Sequence, residues 1–275
     1  LAAATVDCRT AEGQEPKSSH RTAAQTITER PPFPRAPAQG IRDLGPLSPQ
    51  ASLAKIRVAN HLRVELVASE PLVIDPVAID FGVDGRLWVA EMPGYGKSLD
   101  DSSRPDGRIK LLTDTDADGR YDRAKVFLGG LRSPTDVKVW RDGVLICDAP
   151  HILFARDSDH DGEADETRKL FSGFATHDPH AHINSLRFGL DNWVYGSGGQ
   201  SAGEITDAHG DRTTLRGSDF RIQPDTGKFE IATGESRYGR VRDDWDNWFG
   251  CDDETLIRHY PLANHYLKRN PHLAS

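Results

Sequence analysis

Four stretches of this chain share one pattern, and that pattern decides the fold. They read DPVAIDFGVDGRLWVAE (residues 75–91), SPTDVKVWRDGVLICDA (133–149), HINSLRFGLDNWVYGSG (182–198) and RYGRVRDDWDNWFGCDD (237–253). In each stretch, short apolar runs lie on both sides of an Asp-Gly or Asp-Asn pair, which is typical of a β-hairpin. The stretches begin 58, 49 and 55 residues apart. The chain therefore contains an internal repeat.

A second predicted hairpin follows each of the first three stretches. The strand pairs are 109–112 with 125–128, 152–154 with 169–171, and 219–222 with 228–231. Two hairpins in each repeat make one four-stranded blade, and blades repeated at this period form a β-propeller. We therefore predict an all-β fold, a β-propeller of four-stranded blades. The alternative is a β-sandwich whose turns happen to be evenly spaced.

The repeat occupies only the later part of the chain. Residues 51–275 are long enough for about four blades, so we predict an incomplete propeller there. Residues 1–50 are rich in proline and have no apolar periodicity. Such a composition cannot bury enough surface to offset the entropy of the chain. We predict that this segment is a disordered leader or linker.

Charge and cysteine content limit the classes of protein. The 34 basic and 42 acidic residues give a net charge of −8, which argues against nucleic acid as the main partner. We find no apolar run long enough for a transmembrane helix. The three cysteines, Cys8, Cys147 and Cys251, are too few for a disulfide scaffold. Cys147 and Cys251 occupy the same repeat position two blades apart, so we predict no bond between them.

Two acidic loops share the pattern D-x-D-x-D-G-x-x-D, and each joins the two strands of a predicted hairpin. Alternate carboxylates converge when such a loop curls, and hard oxygen ligands suit calcium. The twelfth positions are Lys125 and Arg168 instead of Glu, so the loops are not EF-hands. We predict calcium sites, with ordinary turns as the alternative. The candidate ligands are Asp114, Asp116, Asp118, Asp122, Asp157, Asp159, Asp161 and Asp165.

Three histidines, His177, His180 and His182, lie within seven residues of one another. Their imidazoles could ligate zinc or copper. A histidine that faces the central channel could instead act as a general base. The remaining alternative is a polar loop without chemistry.

One repeat position is polar in every stretch, nine residues before the turn Asp. It holds Asp75, Ser133, His182 and Arg237. The first strand of each blade lines the axis of a propeller, so these residues should converge at one mouth, where a site is expected. His182 is the candidate base, and Arg237 is the candidate stabiliser of developing negative charge. The candidate substrate- or cofactor-binding residues are Asp75, Ser133, His180 and Asn184. A solvated channel mouth is the alternative.

The motifs in residues 63–72, 75–79, 84–92, 184–189 and 246–250 also resemble a known family. They are similar to the N-terminal propeller of planctomycete and verrucomicrobial proteins classed as membrane-bound dehydrogenases, of the type with a haem-binding C-x-x-C-H motif. The resemblance covers residues 48–275. It implies a six- or seven-bladed propeller, a secreted or periplasmic location, and a downstream haem domain in the full-length protein. This chain has no C-x-x-C-H, so haem binding is not carried over.

The same family is distantly similar to soluble quinoprotein glucose and sorbosone dehydrogenases. Those enzymes use pyrroloquinoline quinone, calcium, a catalytic histidine and an arginine one blade later, which His182 and Arg237 match with an offset of about one residue. The resemblance thus implies a quinoprotein-like sugar or alcohol dehydrogenase outside the cytoplasm. The alternative is a non-enzymatic propeller that binds polysaccharide or protein partners.

Overall fold

The structure, a computed structural model, describes residues 45–95, 105–270 and 272. It divides into two compact units, the first ending at Val67 and the second beginning at Ala68. In the first unit a short helix, α1 (Pro49–Leu53), is capped by the Ser48 hydroxyl, which accepts a hydrogen bond from the Ala51 N–H at 3.2 Å. Nearly all of the predicted leader, and Cys8 with it, lies outside the described residues.

The second unit consists almost wholly of antiparallel strands, which confirms the predicted fold class. The strands are β1 (Pro76–Phe81), β2 (Leu87–Glu91), β3 (Gly107–Thr113), β4 (Arg123–Leu131), β5 (Pro134–Trp140), β6 (Gly143–Asp148), β7 (His151–Arg156), β8 (Glu166–Phe174), β9 (Asn184–Phe188), β10 (Val194–Ser197), β11 (Ala202–Thr206), β12 (Arg212–Arg216), β13 (Phe220–Gln223), β14 (Lys228–Ile231), β15 (Tyr238–Arg242), β16 (Trp248–Cys251) and β17 (Arg258–Tyr260). The helical segments are a 3-10 turn (Pro179–Ala181) and α2 (Asn264–Leu267). No described helix has the length and apolar character needed to cross a membrane.

The strands form four blades in chain order. Blade 1 is β1 to β4, blade 2 is β5 to β8, blade 3 is β9, β10, β13 and β14, and blade 4 is β15 to β17. The first strand of each blade, which we call its inner strand, packs beside the inner strand of the next blade, in the order β1, β5, β9, β15. Inner strands arranged around one axis define a β-propeller, and the described blades form an incomplete one.

The core of the propeller lies between the blades. Alternate residues of β6 point to opposite faces of blade 2, as the two-residue period of a strand requires. Leu145 and Cys147 pack toward blade 3, whereas Val144 and Ile146 pack toward blade 1. Cys147 is fully buried, and both Cys147 and Cys251 are free thiols, as predicted.

An additional hairpin, β11–β12, was not predicted from the sequence. It leaves blade 3 between β10 and β13 and pairs with β8, so that the sheet of blade 2 has six strands. Ile205 and Leu215 of this hairpin are buried in the core shared with Phe171 and Phe174. The hairpin therefore joins blade 2 to blade 3 on the side away from the axis.

A buried carboxylate joins blade 2 to blade 3 near the axis. Asp136 of β5 accepts hydrogen bonds from the N–H groups of Val137 (3.0 Å) and of Leu186 in β9. The nearest cation is Arg187, whose Nη1 lies 4.0 Å from Asp136 Oδ2. Burial raises the pKa of Asp136 from its ordinary value to about 6, because the opposing effects of Arg187 and of the hydrogen bonds are smaller.

This pKa predicts that the difference in free energy of unfolding between the protein and its Asp136→Asn variant depends on pH. The folded state holds the Asp136 proton more tightly than the unfolded state, so the stability from this proton is complete below about pH 4 and is lost as the pH rises through 6. The asparagine does not titrate. Between pH 4 and pH 7 the difference in free energy of unfolding should therefore move in the variant's favour by roughly 2–3 kcal/mol. Urea unfolding at several pH values measures it, and a constant difference would contradict it.

Candidate functional site at the axial mouth

A cavity of about 230 Å³ lies where the N-terminal ends of the inner strands converge. We call it the axial cavity. Its lining residues are Val77 of β1, Thr135 of β5, Tyr238 of β15, Met92 after β2, and Tyr95 in the following loop. Three blades contribute directly, so the mouth predicted from the repeat contains a cavity.

Strand bulges explain why these residues, and not the polar repeat position itself, line the axial cavity. The strand register is irregular between Pro76 and Ala78 in β1, between Pro134 and Asp136 in β5, and between Tyr238 and Val241 in β15. A bulge leaves a residue unpaired and re-aims the side chains around it. Val77 and Thr135 are the unpaired residues of their strands, two positions after the polar one.

His182 and Ser133 form a buried pair behind the wall of the axial cavity. Each is 1% exposed. His182 Nδ1 lies 3.2 Å from Ser133 Oγ, and Ser133 Oγ lies 3.6 Å from the sulfur of Met92, a lining residue. His182 Nε2 has no hydrogen-bond partner among the described residues. His182 thus does not line the axial cavity but is connected to it through Ser133 and Met92.

The environment of His182 keeps its imidazole neutral. Burial lowers the pKa of His182, while the Thr176 backbone and the carboxylates of Asp178 and Asp148 oppose this effect more weakly. A histidine whose pKa lies below its ordinary value is unprotonated at neutral pH. Its ring can therefore accept a proton.

Charged and polar groups form the rim of the axial cavity. The hydroxyl of Tyr95 lies 2.5 Å from Nδ1 of the exposed His180. Arg237 forms ion pairs with Asp253 (3.0 Å) and, more loosely, with Asp178 (3.8 Å). Asp178 also accepts a hydrogen bond from the backbone N–H of His180 at 2.9 Å. His180 and Arg237 are therefore joined through Asp178 on one side of the mouth.

Asn184 and Asp75 contribute to the mouth through hydrogen bonds that involve the backbone. The side-chain amide of Asn184 donates hydrogen bonds to the carbonyl oxygens of His182 (2.9 Å) and Arg237 (2.8 Å), and so links blade 3 to blade 4. Asp75 is exposed, and its carbonyl oxygen accepts a hydrogen bond from the Met92 N–H at 3.1 Å. Their ligand-binding roles stay predictions, as do those of Ser133 and His180.

The three histidines do not converge. His177 and His180 are exposed, whereas His182 is buried against Ser133. In the described part of the chain, only the two acidic loops bring three metal-ligating side chains together.

The two acidic loops have the same conformation. Their carboxylates at the first, third and fifth positions lie within 4.8 Å of one another, as Asp114, Asp116 and Asp118 and as Asp157, Asp159 and Asp161. Gly119 and Gly162 adopt positive φ angles of 88° and 90°, which a side chain would oppose. Their N–H groups donate hydrogen bonds to Asp114 (2.9 Å) and Asp157 (2.7 Å).

The ninth residues close the loops without joining the carboxylate clusters. Asp122 accepts a hydrogen bond from the Thr115 hydroxyl, and Asp165 accepts one from the Ser158 hydroxyl. Each ninth residue thus binds the second residue of its own loop and fixes the base of the turn.

A lysine distinguishes the second loop from the first. Lys125 Nζ donates a hydrogen bond to the Asp161 carbonyl and lies 3.8 Å from the Asp161 carboxylate and 3.2 Å from that of Glu163. No ion pair to Asp114, Asp116 or Asp118 is found in residues 45–95, 105–270 and 272. One oxygen of Asp114 is buried there without a hydrogen-bond partner. The first loop therefore keeps more of its negative potential.

We expect calcium to bind the first loop more tightly than the second, because Lys125 repels a cation from the second. Millimolar calcium should raise the melting temperature, since it binds only the folded state. Asp116→Asn should abolish most of this rise, while Asp159→Asn, at the equivalent position of the second loop, should abolish little of it. Thermal unfolding with calcium and with chelator measures both. If chelation leaves the melting temperature of the unmodified protein unchanged, the loops are ordinary turns.

Comparison with known proteins assigns a family. The chain belongs to the DUF7133 family, described as a domain of unknown function, whose model matches residues 48–275. No curated protein sequence matches the chain.

Three solved structures are similar to it at low identity. A streptogramin B lyase is 12% identical over 71% of this chain and 72% of its own, with a TM-score of 0.36. A catalytically inactive virginiamycin B lyase from Staphylococcus aureus, solved with quinupristin, is 10% identical over 70% and 72%, with a TM-score of 0.35. The periplasmic gluconolactonase of Pseudomonas aeruginosa is 14% identical over 69% and 70%, with a TM-score of 0.32.

Proposed function

We propose that this domain binds a small neutral alcohol or sugar in the axial cavity, as the substrate-binding propeller of an extracytoplasmic dehydrogenase. The observation that carries the proposal is the convergence of three blades on one cavity, with a neutral histidine behind its wall. Thr135, Tyr95 and Tyr238 are the hydroxyl-bearing residues of the lining, and Val77 and Met92 are its apolar residues. The Thr135 hydroxyl already donates to the Ile183 carbonyl, and the Tyr95 hydroxyl already bonds His180. A few polar groups on an apolar wall are typical of small-molecule sites.

Ser133 provides a route for a proton from the ligand to His182. A ligand hydroxyl that takes the place of the Met92 sulfur beside Ser133 would donate its proton to Ser133 Oγ. Ser133 would at the same time pass its own proton to His182 Nδ1, 3.2 Å away. The Met92 side chain is flexible enough to move aside. His182 is then the proton acceptor, and Ser133 relays the proton.

Arg237 supports this transfer electrostatically. It precedes Tyr238, whose pKa is raised from its ordinary value by burial and by the nearby Tyr95. The positive charge of Arg237 opposes this rise. The guanidinium therefore acts on a phenol that lines the axial cavity. The ion pairs of Arg237 with Asp253 and Asp178 offset part of this charge, and only the remainder would stabilise an alkoxide forming on the ligand.

Pyrroloquinoline quinone does not fit the residues described around the axial cavity. This quinone carries several carboxylates, which need cationic partners. The described lining contains no lysine or arginine, and Arg237 is already paired with Asp178 and Asp253. We derive no step through the quinone. The oxidative part of the proposed function is supported by the family resemblance alone.

A second candidate function is a propeller that binds sugars without chemistry. The position of His182 favours it, because Ser133 and Met92 separate the imidazole from the axial cavity. This function needs the hydroxyl groups of the lining but not the base. Dependence of turnover on His182 therefore distinguishes the two functions.

Binding itself is tested by titration with D-glucose and glycerol, followed by ligand-observed NMR. Tyr238→Phe removes one lining hydroxyl and keeps the ring, so we expect affinity to fall about fivefold to tenfold. Tyr121→Phe is the matched control, because the Tyr121 hydroxyl donates to the Gly85 carbonyl (2.9 Å) in blade 1 and Tyr121 does not line the axial cavity. Absence of saturable binding to the unmodified protein, or equal affinities in both variants, would overturn the proposal.

A further inference from the structure

A second cavity, of about 480 Å³, lies between blade 3 and blade 4. We call it the side cavity. Its wall includes Tyr195 of β10, Arg240 of β15, Trp248 of β16, Tyr260 of β17 and Tyr266 of α2. It shares no lining residue with the axial cavity. Its volume lies within the range of sites that bind small ligands, roughly 300–1,000 Å³.

A buried arginine presents an unused donor in this wall. Arg240 is 2% exposed, and its Nη1 donates to the Asp219 carboxylate and to the Thr233 carbonyl (2.7 Å). The rings of Trp248, Tyr260 and Tyr195 surround the guanidinium at 4.9, 5.3 and 5.4 Å. Its Nε is buried without a hydrogen-bond partner among the described residues.

An unused acceptor lies on the same cavity. Asp246, in the turn between β15 and β16, has one buried carboxylate oxygen for which the described residues provide no hydrogen-bond partner. The nearest cation, Arg242 Nε, is 3.9 Å away, which is too far for a hydrogen bond. Buried polar atoms are rarely left unpaired, because each costs about 1–3 kcal/mol. Arg240 and Asp246 both belong to the wall of the side cavity.

The charge of the wall points to a neutral ligand. Its basic residues, Arg221, Arg240 and Lys268, equal its acidic residues, Asp191, Glu230 and Asp246, in number. Arg221 is already paired with Asp191 (3.1 Å) and Glu230 (2.6 Å), and Arg240 with Asp219. Little positive charge is left for an anion.

We infer that the side cavity binds one unit of a carbohydrate. A sugar ring has an apolar C–H face for Tyr260 and Tyr266, the more exposed aromatic rings of the wall. It also has hydroxyl groups that both accept and donate hydrogen bonds. One hydroxyl would accept from Arg240 Nε, and another would donate to Asp246. Tyr266, which is 52% exposed, extends the aromatic surface outward, so a longer saccharide can leave the cavity along α2.

Titration with maltotriose and with cellotriose, followed by tryptophan fluorescence and ligand-observed NMR, tests this inference. Trp248 lies in the wall, so occupancy should change its emission. Asp246→Gly removes the acceptor, and glycine suits the positive φ of 65°. We expect the affinity for the better trisaccharide to fall about tenfold. Asn192→Gly, at a turn residue with φ 63° that does not line the side cavity, is the matched control and should bind normally.

A second variant separates binding from folding. Tyr266→Ala removes an exposed ring of α2 and should weaken binding about threefold, with the melting temperature unchanged. Tyr238→Phe, in the axial cavity, should leave trisaccharide binding intact, so the two sites can fail independently. Absence of saturable binding to the unmodified protein would overturn the inference. So would normal affinity in both Asp246→Gly and Tyr266→Ala, or a loss confined to Tyr238→Phe.

Discussion

Replacing Arg240 with methionine is expected to lower the free energy of unfolding by about 3–5 kcal/mol, the usual cost of removing one partner from a buried ion pair. The partner, Asp219, directly precedes β13 and is fully buried. It also accepts hydrogen bonds from the N–H groups of Gly198 (3.2 Å) and Ser236 (3.0 Å) and from the Ser236 hydroxyl (2.7 Å). These bonds hold the carboxylate in place but do not neutralise it. Urea unfolding at neutral pH measures the loss.

Arg242→Met provides the matched control on the same strand. Arg242 is a quarter exposed and bonds the Phe188 carbonyl at 2.6 Å, so its removal should cost less than about 1 kcal/mol. Burial already raises the pKa of Asp219, so the Arg240→Met protein should recover stability relative to the unmodified protein as the pH falls. The double variant Asp219→Asn, Arg240→Met should also be more stable than Arg240→Met alone. Equal losses in Arg240→Met and Arg242→Met would contradict the account of this pair.

Replacing His182 with glutamine should lower turnover about 10²- to 10⁴-fold in the full-length protein, the usual effect of removing a general base. The proposed substrate is an alcohol or sugar, supplied together with a dye that accepts electrons, and reduction of the dye measures the rate. His177→Gln, an exposed change in the preceding loop, should have little effect. Burial lowers the pKa of His182 from its ordinary value. Its imidazole therefore stays neutral at pH values where an ordinary histidine already protonates. The rate should therefore fall only at a pH below about 6.5.

Unchanged turnover in the His182→Gln protein would remove His182 from the mechanism. Saturable binding of the same alcohol or sugar without turnover in the unmodified protein would identify the domain as a binding propeller. If the His182→Gln protein loses turnover because it no longer folds, its melting temperature will be lowered. In that case His182→Asn, which keeps a polar group near Ser133, repeats the comparison.

The repeat and the acidic loops could be predicted because their signals are local. An Asp-Gly or Asp-Asn pair between apolar runs defines a hairpin within about a dozen residues. Gly119 and Gly162 fix the turn of their loops in the same way. The order of the blades then follows from the order of the repeats along the chain.

The composition of the site could be predicted only in part, because it depends on contacts between distant segments. The polar repeat position predicted residues at the mouth, and of these Ser133 and His182 contact each other although they are 49 residues apart in the chain. Bulges, however, turn Val77 and Thr135 into the axial cavity. A bulge depends on pairing with the neighbouring strand, which one sequence does not show.

Two other features depend on long-range contacts. The β11–β12 hairpin interrupts the period of two hairpins in each repeat, because it belongs to blade 3 in the chain and to blade 2 in space. Lys125 reaches the second acidic loop from the strand that follows the first. The two loops have the same sequence pattern, so their difference in charge is visible only in the structure.

The most direct test of the central claim, that the axial mouth is the functional site, is the ¹⁵N NMR signal of the His182 imidazole during titration with D-glucose or glycerol. The free protein should show a neutral ring at pH 7, because burial lowers the pKa of His182. Added ligand should shift the ring-nitrogen signals in a saturable way, through the contact of His182 with Ser133, and Tyr238→Phe should weaken that response. A protonated ring at pH 7, or signals that stay unchanged while the protein binds the ligand, would contradict the claim.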